Sequence, residues 1–110
     1  MNNLVNHVQL IGNLGQDVDL KTVGERESKL ARVSLATNEY LKDANGEKTT
    51  RTEWHTVVGW GKVAENMKVF GKKGKKVCVT GKLVHRSFKD QSGNDRFTTE
   101  VVVREFMMLN

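Results

Sequence analysis

Trp54 and Trp60 stand six residues apart in Glu53-Trp54-His55-Thr56-Val57-Val58-Gly59-Trp60, and Phe88 follows a basic segment running from Lys76 to Arg86. Only 6% of the residues are aromatic, so two Trp on one short segment are not casual composition. Flat rings held on a rigid strand beside Lys and Arg suit the binding of unpaired nucleic acid. The rings stack on exposed bases while the cations meet phosphates. Bases in a duplex are already stacked and do not need such a surface. A lone Trp in a small β-domain is usually core or partly core. Two Trp of one parity, with a Phe on a basic outer face, tip the balance towards stacking.

The charge has an address. The chain of 110 residues carries 18 Lys and Arg against 13 Asp and Glu, a net +5. Between Lys62 and Arg96 lie ten basic residues and three acidic ones, while the rest of the chain is mildly acidic. Such a surplus favours a polyanionic partner. The run Lys72-Lys73-Gly74-Lys75-Lys76 reads most simply as a solvated loop, but beside a stacking surface it can rim a phosphate track.

Catalytic constellations are missing. His7, His55 and His85 are scattered, and none has metal-ligand spacing from Cys78. No cofactor and no metal is therefore expected. Gly12-Asn13-Leu14-Gly15 lacks the Gly-Lys-Ser/Thr ending of a phosphate-binding loop. His55 has the opposite parity from the rings and reads as a structural or interface residue rather than a general base. A single cysteine forms no internal disulfide, so a reducing compartment is the default. Neither a membrane span nor a secretory signal is visible, and a cytoplasmic location is expected.

These residues need elements to hold them. Val8–Ile11 is a short β-favouring run ended by Gly12 and Gly15, which permit a bulge or bend. In Leu30–Thr37, Ala31, Val33, Leu35 and Thr37 share one face and Arg32, Ser34 and Ala36 the other, the half-buried strand pattern. A turn over 43–48 containing Asn-Gly leads to a third strand, Arg51–Trp60. The period then changes. Val63, Met67 and Phe70 fall at i, i+4 and i+7 before Gly71, predicting one short helix over Lys62–Phe70 with Phe70 in the core. Strands Val77–His85 and Arg96–Phe106 follow, joined by a tip over 90–95. Alternation puts Val77, Val79, Gly81 and Leu83 on the core face, and Lys82, Arg86 and Phe88 on the outer one. Phe106 reads as core and Phe97 is left open.

One domain spanning 1–110 is expected, all-β with one short helix. Five strands with the helix between the third and fourth are the layout of an OB-fold barrel, which binds oligonucleotides across one face. An open α+β sheet is the competing layout, disfavoured because one short helix cannot cover so many strands.

At this point the residues match a family. Val8-Gln9-Leu10-Ile11-Gly12-Asn13-Leu14-Gly15-Gln16-Asp17, Ser34-Leu35-Ala36-Thr37, Thr52–Val58, Gly61–Glu65 and Asp90–Val101 make the chain closely resemble the bacterial single-stranded DNA-binding proteins. The likeness spans nearly the whole chain. It implies an OB-fold homotetramer with stacking rings at Trp54, Trp60 and Phe88. Phosphate-contacting cations are implied at Lys62, Lys73, Arg86 and Arg96, with Lys82 joining them by parity. An interface histidine is implied at His55, and pairing of subunits through the first strand around Asn6, Val8 and Leu10. Many members carry a Trp just after the second strand, where this chain has Tyr40-Leu41; Tyr40 stands in if the register shifts by one. Members typically also bear a tail ending in acidic residues and a Phe. This chain stops at Asn110, which reads as a truncation or as a short paralogue of the competence or mobile-element kind. Tail-dependent replication and repair partners are therefore doubtful. Two other classes remain: a primosome-type OB dimer that binds proteins and uses DNA weakly, and a metal-dependent nuclease, for which no ligand cluster speaks.

Overall fold

The computed structural model describes residues 4–109. In chain order the elements are β1 (Val8–Leu14), β2 (Asp19–Val23), β3 (Ser28–Lys42), β4 (Lys48–Trp60), α1 (Lys62–Phe70), β5 (Lys76–Lys89) and β6 (Asp95–Met108). The strand β2 was not anticipated, because Asp19-Leu20-Lys21-Thr22-Val23 offers only weak alternation beside charged residues. It continues β1 along the same partner: β3 pairs with β2 from Arg32 to Ser28 and with β1 at Ala36 and Leu35. The two therefore act as halves of one interrupted strand, and the sheet is a closed five-stranded barrel.

Closure runs β1–β5–β6–β4–β3 and back to β1. All ladders are antiparallel except β4 with β6, which is parallel through Thr56↔Glu100, Val57↔Val101 and Val58↔Val102. The seam between β1 and β3 depends on Gly12, where a Cβ would collide with the Ala36 carbonyl. Inside lie Leu14, Val18, Ala31, Val33, Leu35, Val57, Val77, Val79, Val101 and Val103, with Ala64 and Met67 of α1 closing one end. The alternation read from β3 holds: Ala31, Val33 and Leu35 are fully buried.

Two core assignments are corrected. Phe70 is exposed, because Val18, bonded through its N–H to the Gly71 carbonyl at 3.0 Å, is the residue buried beside the helix's last turn. Leu83 is also not in the core, being 38% exposed. Beyond Gly81 the strand leaves the barrel and runs out as an arm, so its inner parity no longer meets a core. Phe106 does pack against the core, and Phe97 stands out in solvent. In β6 the register slips opposite Thr80 and Gly81, passing over Arg104 and moving the inward parity from Val101 and Val103 to Phe106 and Met108.

Both long hairpins end in the same turn. The carboxylate of Asp43 accepts the N–H groups of Asn45 and Glu47, each at 2.9 Å, and Gly46 adopts φ 79°. Asp90 does the same for Ser92 and Asn94, with Gly93 at φ 80°. An Asp that bonds its own turn and a Gly that enters the left-handed region fix these tips locally.

Candidate nucleic-acid interface

Cross-strand register decides which rings share a surface. Ala36 lies opposite Trp54, Leu30 opposite Trp60, and Tyr40 opposite Thr50. Because side chains alternate along a strand, Tyr40, Trp54 and Trp60 therefore project from one face of the β3–β4 ribbon. They are 80%, 63% and 47% exposed. At about 3.4 Å per residue, Trp54 and Trp60 are roughly 20 Å apart and Tyr40 about 14 Å beyond Trp54. Leu41, next along β3 and opposite Thr49, points to the other face. Tyr40 is the residue in register. The strip ends at Lys42 directly opposite Lys48, a like-charged pair that disfavours itself and favours an anion.

The same outer surface continues onto β5 and β6. Phe88 faces Arg96 across the ladder, Arg86 faces Thr98, Val84 faces Glu100 and Lys82 faces Val102. Phe88, Arg86 and Lys82 thus project together as alternation predicts, and Arg96 joins them. Phe88 is 45% exposed. Arg96 Nε donates to Asp90 Oδ2 at 2.9 Å. That bond and those from the backbone of Asn94 and Ser92 hold the Asp90 carboxyl below its ordinary value. Lys62 opens the helix and Lys73 sits in the loop after it, both exposed. The backbone N–H of Lys73 donates to Asp17 at 2.8 Å, which ties that loop to the segment after β1.

Trp54 lies against that same segment. A Cβ on Gly15 would come within 2.7 Å of the indole Cζ3, so the absent side chain makes room for the ring. Between β2, β3, β4, β5 and β6 an open groove of about 470 Å³ is walled by Trp60 and by Val23, Leu30, Val58, Val84 and Val102. Arg32, Arg86 and Glu100 supply its charged side. Glu100 is only 4% exposed. Arg86 donates through Nε and Nη2 to its two oxygens, both at 3.1 Å, and Arg32 Nη1 lies 2.8 Å from Oε2. Burial pushes this carboxyl up, but the hydrogen bonds and charges of Arg86 and Arg32 outweigh it and hold the group below its ordinary value. The hydrogen bond and charge of Glu100 in turn raise Arg86 further.

Arg32, Glu100, Lys42 and Lys48 are the residues here that sequence reasoning passed over. Alternation puts Arg32 on the outward parity, yet one Arg in a strand reads as a solubilising residue. Glu100 in Thr98-Thr99-Glu100-Val101 gives no hint of burial until its two partners are placed.

The residues expected at an interface behave differently. His55 is on the face opposite the rings, its Nε2 sharing a 2.9 Å hydrogen bond with Thr37 Oγ1. The Asn6 side chain binds the backbone of Leu83 twice, donating to its carbonyl and accepting its N–H, each at 2.9 Å. Val8 and Leu10 point inward and pack on the core, while Ile11 faces out. Among the described residues no group of three or more His, Cys, Asp or Glu gathers as metal ligands, and no helix is long and apolar enough to cross a membrane.

A closed five-stranded barrel whose outer face aligns rings and cations defines the class of oligonucleotide-binding barrels. Comparison takes the assignment further. The model of the Single-strand binding protein family matches residues 5–109, and the chain belongs to that family. It is 42% identical over 106 residues to Single-stranded DNA-binding protein 1 of Xylella fastidiosa (strain 9a5c), covering 96% of this chain and 77% of that protein. The protein of the same name from Chlorobaculum tepidum is 39% identical over 106 residues, covering 96% of this chain and 65% of the relative. The chain thus spans just under two thirds of the Chlorobaculum protein's length. Among solved structures, a chain of the Plasmodium falciparum SSB complex with ssDNA matches with TM-score 0.86 at 29% identity, each chain covered in full.

Proposed function

We propose that this protein binds single-stranded DNA with little sequence preference, without catalysis, as one OB-fold unit per chain in a cytoplasmic homotetramer. Trp54, Trp60, Phe88 and Tyr40 stack on bases; Lys62, Lys73, Lys82, Arg86 and Arg96 follow the phosphates. The observation that carries this reading is the common face: cross-strand register brings three rings onto one ribbon surface that runs into a second ribbon bearing a ring and three cations. Rings and cations spread along one outer face favour tolerance of sequence, because every base has a stacking face and every nucleotide a phosphate.

The assembly has a physical basis in β1. Its ladder to β5 runs from Val8 to Asn13, whereas its other side meets β3 only at Asn13 and Leu14. The stretch from Val8 to Ile11 is then a sheet edge able to pair with a second copy through its backbone. Asn6, by bonding Leu83, extends that edge, and Ile11 and His55 are available to a partner surface.

Two titrations test the function. Adding oligo(dT) is expected to quench the intrinsic tryptophan fluorescence, and unchanged emission at low salt would rule out stacking. If about six phosphates are neutralised per bound segment, log K against log salt slopes at roughly −4. A flat response would remove the cations from the model. Native mass measurement with and without DNA reads the subunit number; a dimer that binds protein partners more tightly than DNA would favour the primosome-type alternative.

A further inference from the structure

We propose that Arg32 and Arg86, held together by the buried carboxylate of Glu100, form a preassembled site for one backbone phosphodiester. It rests on the single-stranded DNA reading and adds to it a residue, Arg32, and a mechanism. Both guanidiniums reach the same oxygen of Glu100, so their bonded nitrogens lie within about 6 Å of one another. A guanidinium has five N–H donors. Arg86 spends two of its five on Glu100 and Arg32 one, and the rest have no protein partner among the described residues. The two side chains are 46% and 43% exposed, so those donors look out from the groove.

Charge selects the ligand. Two guanidiniums and one carboxylate leave a single positive charge, which matches the single negative charge of a phosphodiester. The carboxylate also fixes the aim. With its Nε–Nη2 edge locked on Glu100, Arg86 has its plane set before DNA arrives, and the ordering of two long side chains is already complete. Trp60 walls the same groove. A nucleotide with its phosphate on the paired guanidiniums can lay its base on that indole. Glu100 is a positioning residue: it touches no DNA, and it withholds one of the two cationic charges from the strand.

Binding of a labelled oligo(dT) by the full chain, measured by anisotropy from about 50 to 500 mM NaCl, tests this. Glu100→Gln uncovers one charge, so the log K against log salt slope should steepen by about 0.7, with several-fold tighter binding at the lowest salt. Arg32→Gln should make the slope shallower by about the same amount and weaken binding several-fold at low salt. The double variant should return the slope to that of the parent. A role confined to packing would lower thermal stability and leave every slope parallel, and that outcome overturns the proposal. So does an Arg32→Gln protein that binds as the parent does. Should Glu100→Gln fail to fold, Arg32→Gln, which trims an exposed side chain, decides alone. Failure of the parent protein itself to bind oligo(dT) would instead sink the broader DNA-binding reading.

Discussion

The β3–β4 and β5–β6 ribbons close on the same five-residue turn, an Asp that takes two backbone N–H bonds and a Gly at positive φ, yet they carry different surfaces. The first presents Tyr40, Trp54 and Trp60, with Asn38, Thr50 and Thr52 between them, and its cations are Arg32 in the groove beside Trp60 and the paired Lys42 and Lys48 at the tip. The second presents one ring, Phe88, among Lys82, Arg86 and Arg96. Stacking energy is nearly indifferent to salt, whereas phosphate contacts release counterions and fade as salt rises. The rings concentrated on the first ribbon and the cations concentrated on the second therefore split the affinity into a salt-insensitive and a salt-sensitive part that mutation can address separately.

The sharpest break should come on the first ribbon. Trp60→Ala or Trp54→Ala is expected to remove roughly 1–3 kcal/mol of binding, measured with oligo(dT), while leaving the salt slope unchanged. A change in slope would mean that the rings and cations are not separable. On the second ribbon Lys82→Gln should do the reverse. The slope becomes shallower by about 0.7, and a several-fold loss at low salt disappears towards 1 M.

A finer test concerns how one platform is held. Gly15→Ala would push its methyl into the Trp54 ring, so the indole must tilt. Binding should weaken by a few-fold, with the fluorescence quench at Trp54 altered and the slope unaffected. The smallest effect expected is on stability in acid. The folded chain holds the Glu100 carboxyl below its ordinary value of 4.5, so on acidification the unfolded chain takes up that proton first. The stability it contributes is complete above pH 4.5 and falls away as pH drops through the folded value. Melting temperature followed from pH 7 to 3 should decline in that window, and less so in Glu100→Gln.

Much of this was legible before any coordinates. Alternation holds from Leu30 to Leu35 because one face meets the core, and breaks at Ala36, which is buried on the other face. The helix betrays itself through Val63 and Met67. Phe88 with Lys82 and Arg86 follows from parity alone, since β5 has no irregularity of its own between them. What failed on the strands has a common cause: parity reports two faces of a strand but not what each face meets. Leu83 has core parity and no core, because β5 outruns the barrel there. Val58 shares parity with Trp54 and Trp60 and is nevertheless buried at the bottom of the groove. The pairing of Arg32 with Glu100 spans three strands, and no local pattern encodes it. Likewise β2 is held by its ladder to β3 more than by its own composition.

The overrun of the ribbons has a mechanical consequence. From Asn38 outward and up to Trp54 inward, neither strand of the first ribbon has a buried residue, and the molecule reaches 57 Å along its long axis. A lone two-stranded hairpin is marginal in water. Amide protection should accordingly grade from near nothing around Gly46 to its maximum at Val57, giving a compliant finger rooted in a stiff palm. Such a finger can curl to follow whatever path a flexible polymer takes across the surface, at little elastic penalty and without disturbing the barrel that carries it.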